Sequence, residues 1–248
     1  MSEPSDPLHE IPDQQAIAAE LRAQLACAKR LREAARADAP SACRRLALRE
    51  WQALRLARTH RDLLEDTRYG PAAAFFLSDL YGPKDFAERD AEVERILPSL
   101  VAWLPAAALR TLALAIEMDA LSERLDAATA RALARNGGEA EIDEAAYARA
   151  YRAAGNRAAR IRQIELIGEV GASLERLTHS PLLAGILRMM RVPAHLAGLG
   201  ALQEFLERGF AAFRSMNGAE EFIRRISSRE TAILERLFSG RPRPFDQD

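Results

Sequence analysis

Cysteine is scarce in this chain. Cys27 and Cys43 are the only two among 248 residues. Two cysteines build no disulfide framework, and neither stands in a CxxC pair or beside a histidine at ligand spacing. A reducing cytoplasm is the expected setting. Lysine is scarcer than arginine by a wide margin, 2 against 33, a compositional bias spread along the chain. Alternating Val, Ile, Thr and aromatic runs are missing, so no strand is predicted. No apolar run approaches the roughly 20 residues of a membrane span. The longest weakly polar stretch, 96–109, is broken by Pro98 and Pro105. No basic-then-apolar opening marks a secretory signal. Walker loop, GxGxxG, HExxH, GxSxG, EF-hand and ExxH patterns are all lacking, which leaves no ready template for nucleotide, metal or acyl chemistry.

What remains reads at the helical period almost throughout. The expectation is an all-α fold, a single multi-helix bundle of about eight to ten helices in residues 13–238. Residues 1–12 and 239–248 are expected as flexible tails, and "NGGEAEID" supplies a lobe break near 136–141. Asp13 can cap a first helix, and Ser41 a second that runs to about Arg68. Pro71 opens a short helix that Gly82-Pro83 ends. Asp85 opens the next, bending at Pro98. Further helices are expected over 106–134, over 142–177 as one helix or as two separated at Gly155-Asn156, from Ser180-Pro181, from Pro193 to Met216, and over 219–238.

The net charge is −1, so no overall field favours nucleic acid. The distribution is uneven. Residues 20–61 hold eleven basic against four acidic side chains, and residues 62–145 hold eight against seventeen. Either the two segments pack together and neutralise, or Arg44, Arg45, Arg49, Arg55 and Arg58 form a basic face for an acidic partner.

Several charged residues fall on apolar stripes. Arg89 and Asp90 lie three and four past Phe86, Asp79 lies four past Phe75, Glu117 sits among Ala113, Leu114, Ala120 and Leu121, and Glu230 lies four past Ile226. Buried charge is costly unless paired. The simplest expectation is that Arg89 bridges carboxylates, Asp79 first, in a structural network. The alternative is a polar pocket between helices lined by Asp79, Tyr81, Arg89, Asp90 and Glu117. His195 shares a face with Leu199, Leu202 and Leu206 and is expected partly buried; His179 marks a helix boundary. Gly168, Gly171, Gly198 and Gly200 point to close helix packing or to a flat ligand. Phe205, Phe210 and Phe213 suit a core or half of a dimer interface.

"FFLSDLY" (75–81) resembles the motif of the bacterial FFLEELY-motif proteins. "GPKDFAERD", "IEMDALSERLD" (116–126) and "LQEFLERGFAAF" resemble further parts of that pattern, which would span about residues 20–238. Ser78 and Asp79 stand where the motif has two glutamates. The resemblance implies a bacterial, soluble, helical protein without established activity, and it transfers no catalytic residue. The residues themselves predict a non-enzymatic cytoplasmic interaction or scaffold protein, with a homodimer as one form. A small-molecule binder or enzyme is the alternative, and a nucleic-acid binder through residues 20–61 the weakest reading. No cofactor, metal or membrane association is expected.

Overall fold

The computed structural model describes residues 14–80, 91–98, 105–135 and 141–246. Every regular element among them is helical. In chain order these are α1 (Gln14–Arg36), α2 (Ala39–Thr59), α3 (Arg61–Glu65), α4 (Gly70–Phe75), a π-helical turn (Phe76–Leu80), α5 (91–98), α6 (Ala106–Arg135), α7 (Glu144–Ala154), α8 (Arg157–Thr178), α9 (Pro181–Leu196), α10 (Gly200–Met216) and α11 (Glu220–Phe238). The expected all-α bundle is what forms.

The boundaries follow capping chemistry, with some corrections. Asp38, not Ser41, caps α2: its carboxylate accepts the Ser41 N–H at 3.2 Å, and Pro40 sits in the first turn where it loses no bond. α2 stops at Thr59 rather than near Arg68. There the Asp66 carboxylate accepts the N–H groups of Arg68 and Tyr69, a local turn that competes with helix. Asp143 and Ser180 cap α7 and α9. Asn156, left-handed at φ 61°, separates α7 from α8. Pro193 does not start a helix. It lies in the last turn of α9, where its missing N–H costs a single bond, and the break comes at Gly198 with φ 68°. The Asp85 cap and the lobe break at 136–140 lie outside the described residues.

Helix α6 is the spine, packing against α1, α2, α7 and α8. One apolar cluster joins Leu48, Leu133, Tyr147, Tyr151, Ile233 and Leu237, so residues on both sides of 136–140 share a core. Phe245 is buried in this cluster, 5.6 Å from the Trp51 ring and 5.9 Å from that of Tyr147. The expected C-terminal tail is therefore docked, at least as far as Phe245. A second cluster gathers Leu63, Tyr69, Phe75, Phe76, Phe213 and Phe222. Phe75 wedges against Gly209 of α10, where a Cβ would lie 2.8 Å from the ring. Gly171 of α8 admits Ile223 of α11 in the same way. These glycines serve close packing.

Candidate functional site

Among the described residues, Asp79, Glu117 and Glu230 have different partners. Asp79 is buried and accepts from Arg208 of α10 at 2.7 Å and from the Ser78 hydroxyl at 2.7 Å. Glu117 binds Arg162 of α8 through two bonds of 2.9 and 3.0 Å on a half-exposed surface. Among the described residues Asp79 and Glu117 share no arginine. Tyr81, Arg89 and Asp90 lie outside the described residues. Glu230 is placed with Arg55, at 2.6 and 2.8 Å, and with His60 Nε2 at 2.9 Å.

The expected basic face is largely interior. Arg45 and Arg49 of α2 both donate to Glu123 of α6, and Arg32 of α1 joins them at 3.1 Å while binding Asp119 at 2.5 Å. Arg55 is buried against Glu230. Arg44 is half-buried, and Arg58 is exposed beside Glu144 at 3.6 Å. The physical reason is the charge asymmetry itself: α6 presents the acidic stripe that the α1–α2 arginines need, and packing them together neutralises both. Asp119, Glu123 and Asp126 stand four and three residues apart in "EMDALSERLD". That spacing places them on one helix face, a signal carried by the sequence itself.

Between α2, α6, α7, α8 and α11 lies a cavity of about 120 Å³. Its lining mixes charged and polar side chains, among them Arg55, His60, Asp126, Tyr151, Arg160 and Glu230, with apolar ones, among them Leu63, Ala73, Phe76, Leu77, Ile167 and Ile226. Thus the "FF" stretch meets the cavity through Phe76 and Leu77, at the π-helical turn. Such turns are frequent at functional sites.

The electrostatics here are unusual. Arg160 is 4 % exposed and has no ion pair among the described residues. It donates to the Thr129 hydroxyl at 2.8 Å and lies over the Tyr151 ring at 4.3 Å. Its Nε, the Nε of Arg55 and the Nδ1 of His60 are buried without partners. Burial would raise the Glu230 carboxyl, but Arg55 and His60 overcome it and hold the group down at about 2. His60 Nε2 therefore donates to a carboxylate. Burial pushes the Asp126 carboxyl up, against the pull of Arg49 and Arg160. Burial likewise raises the Tyr151 phenol. Among the described residues no group of three or more His, Cys, Asp and Glu side chains is placed to hold a metal ion. His195 is exposed, not partly buried, because its part of α9 faces solvent. His179 donates to the Glu175 carbonyl at 2.8 Å, at the end of α8.

The model of a domain of unknown function, DUF8198, matches residues 31–244. No curated protein and no solved structure matches the chain.

Proposed function

We propose, for a chain that belongs to this family of unknown function, a non-enzymatic role as a cytoplasmic interaction protein that self-associates through α9. The observation that carries this reading is a stripe of exposed apolar residues. Leu182, Met189, Val192 and Leu196 are each about two-thirds exposed or more, and with Gly185 they are spaced three and four residues apart. This is the heptad spacing by which one helix packs on another. The opposite face of α9 already packs on α8 and α10. Gly185 has open space where its Cβ would be, so a second backbone can approach there.

A second copy of this chain suits the stripe because the pattern is nearly symmetric about Met189. In an antiparallel pair Leu182 meets Leu196, small Gly185 meets Val192, and the two Met189 side chains meet at the two-fold axis. A C2 interface needs this self-complementarity. The helix face is about 24 Å long, less than stable interfaces of roughly 800 Å² per partner require. The dimer is accordingly weak and concentration-dependent. Of Phe205, Phe210 and Phe213, read as core or as half of a dimer interface, Phe205 and Phe213 pack against Phe75 and Phe76 in the core.

Nucleic-acid binding loses its support, since Arg45, Arg49 and Arg55 are committed to buried or half-buried carboxylate pairs. The two free cysteines suit a reducing compartment, and no helix among the described residues is long and apolar enough to cross a membrane. The likeness of residues 75–81 to the FFLEELY motif, with its bacterial origin, belongs to the same reading. A second reading is favoured by the cavity: a small-molecule site between helices, moved from Asp79 and Glu117 to Arg55, Arg160 and Glu230. Sedimentation of the full chain over a concentration series tests the first. A monomer–dimer equilibrium is expected, abolished by Met189→Glu with helicity unchanged. A wild-type chain that stays monomeric at roughly 100 μM, where even weak complexes form, overturns it.

A further inference from the structure

We infer that the cavity is a binding site for a small monocarboxylate with a short apolar tail, its carboxylate held by Arg160 and Arg55. The inference rests on the small-molecule reading and is independent of self-association.

The argument begins with Arg160. A guanidinium does not lose its proton in a protein, so burial alone cannot neutralise it. An unpaired buried charge is strongly destabilising. Arg160 nonetheless sits 4 % exposed with no ion pair among the described residues: it contacts the Thr129 hydroxyl and the Tyr151 ring face, and acts on Asp126 only at longer range. The carboxylates of the lining are engaged elsewhere: Glu230 by Arg55 and His60, Asp119 by Arg32, and Asp126 by Gln52 at 3.2 Å with Arg49 at 3.7 Å. Asp126 is moreover the carboxyl that burial drives toward its neutral form. A carboxylate in direct contact with Arg160 is what the described lining lacks.

The positions of the orphaned polar atoms sharpen the chemistry. The Nε–H groups of Arg160 and Arg55 and the Nδ1 of His60 all belong to residues that line one cavity. Water could satisfy them, and about 120 Å³ would hold roughly four waters. Water does not neutralise Arg160. Nor does it match the apolar part of the lining, Leu63, Ala73, Phe76, Leu77, Ile167 and Ile226. A lining that is part cationic and part apolar fits a ligand with both parts. A phosphate or a dicarboxylate would bring in a second charge for which the described lining has no free cation. A monocarboxylate of about four to six carbons matches the charge, the mixed lining and the volume. Cavities of this size take molecules of about that bulk.

The test uses the full chain and measures Tm and binding heats with sodium butyrate and sodium hexanoate. The controls are chloride, phosphate and the matching alcohols, 1-butanol and 1-hexanol. A ligand that binds only the folded state raises Tm with concentration. The expected result is a Tm rise of several degrees for butyrate or hexanoate and none for the alcohols or phosphate. Arg160→Gln should weaken binding at least tenfold. Should that variant fail to fold, Ala73→Leu serves instead: it adds bulk to the cavity lining and should abolish binding while keeping the helical signal. Stabilisation by chloride or phosphate equal to that by the carboxylates overturns the monocarboxylate inference but leaves a ligand site standing. Alcohols acting as strongly as the carboxylates, or carboxylate binding that survives both variants, overturns the role of Arg160 and of the cavity. No response to any probe overturns both the inference and the small-molecule reading.

Discussion

Two carboxyls line one cavity; burial pushes both upward, and their partners decide the outcome. Glu230 is bonded to Arg55 and His60, and its pKa is held down from 4.5 to about 2. Its contribution to stability is present above about pH 4.5 and is lost as pH falls toward 2. Asp126 meets Arg49 only at 3.7 Å, and burial wins, so its pKa is raised above the ordinary 3.8. Its contribution is present below that ordinary value and is lost as pH rises through the raised one. Urea denaturation across pH 3 to 7 should therefore separate two variants. Glu230→Gln strands Arg55 and should cost about 3–5 kcal/mol at neutral pH, with a flatter acid limb than wild type. Asp126→Asn should be neutral or stabilising at pH 7. An Asp126→Asn loss as large as that of Glu230→Gln would contradict this division.

At the scale of elements, small residues and distant side chains decide how helices meet. α10 has no side-chain cap of its own, and the Leu202 N–H in its first turn is taken by Glu92 from α5 at 2.8 Å. At its other end Arg68 donates to the carbonyls of Met216, Asn217 and Gly218. Arg95 does the same for the carbonyls of Ala197 and Gly198, just past the end of α9. Helix ends leave several backbone groups unpaired, and these arginines supply the partners. α10 also receives Phe75 at Gly209. A methyl at that position would stand 2.8 Å from a rigid ring. Gly209→Ala should thus cost about 1–3 kcal/mol, despite alanine's better helix propensity. Adding Phe75→Leu should return part of the loss, which a double-mutant cycle on chemical denaturation would measure. Additive losses would mean that the two positions do not press on each other.

For the whole molecule, the uneven charge along the chain becomes an assembly device. Arginines from α1 and α2 enclose Glu123, which has no exposure at all. One carboxylate thereby ties three helices. Glu123→Gln leaves Arg32, Arg45 and Arg49 with a neutral partner and should cost about 3–5 kcal/mol. Glu117→Gln, which loosens only the half-exposed pair with Arg162, should cost under about 1 kcal/mol. Comparing urea midpoints of the two variants checks the contrast. Equal midpoints would remove Glu123 from the centre of the assembly.

The amino-acid order by itself determined the helical class, because the period of apolar residues and the punctuation by Asp143, Gly155-Asn156 and Ser180-Pro181 are local properties. It also carried the charge asymmetry, and with it the neutralising contact of α1 and α2 with α6. Glu230 was legible as a charge on an apolar stripe. Its partners were not: Arg55 and His60 are far away in sequence, and nothing local selects one carboxylate over another for a given arginine. For the same reason Asp79 meets Arg208, Phe245 returns to the core from an expected tail, and Arg160 has no ion pair among the described residues. Only the tertiary packing decided these, since ion pairing and cavity shape depend on which helix faces come together.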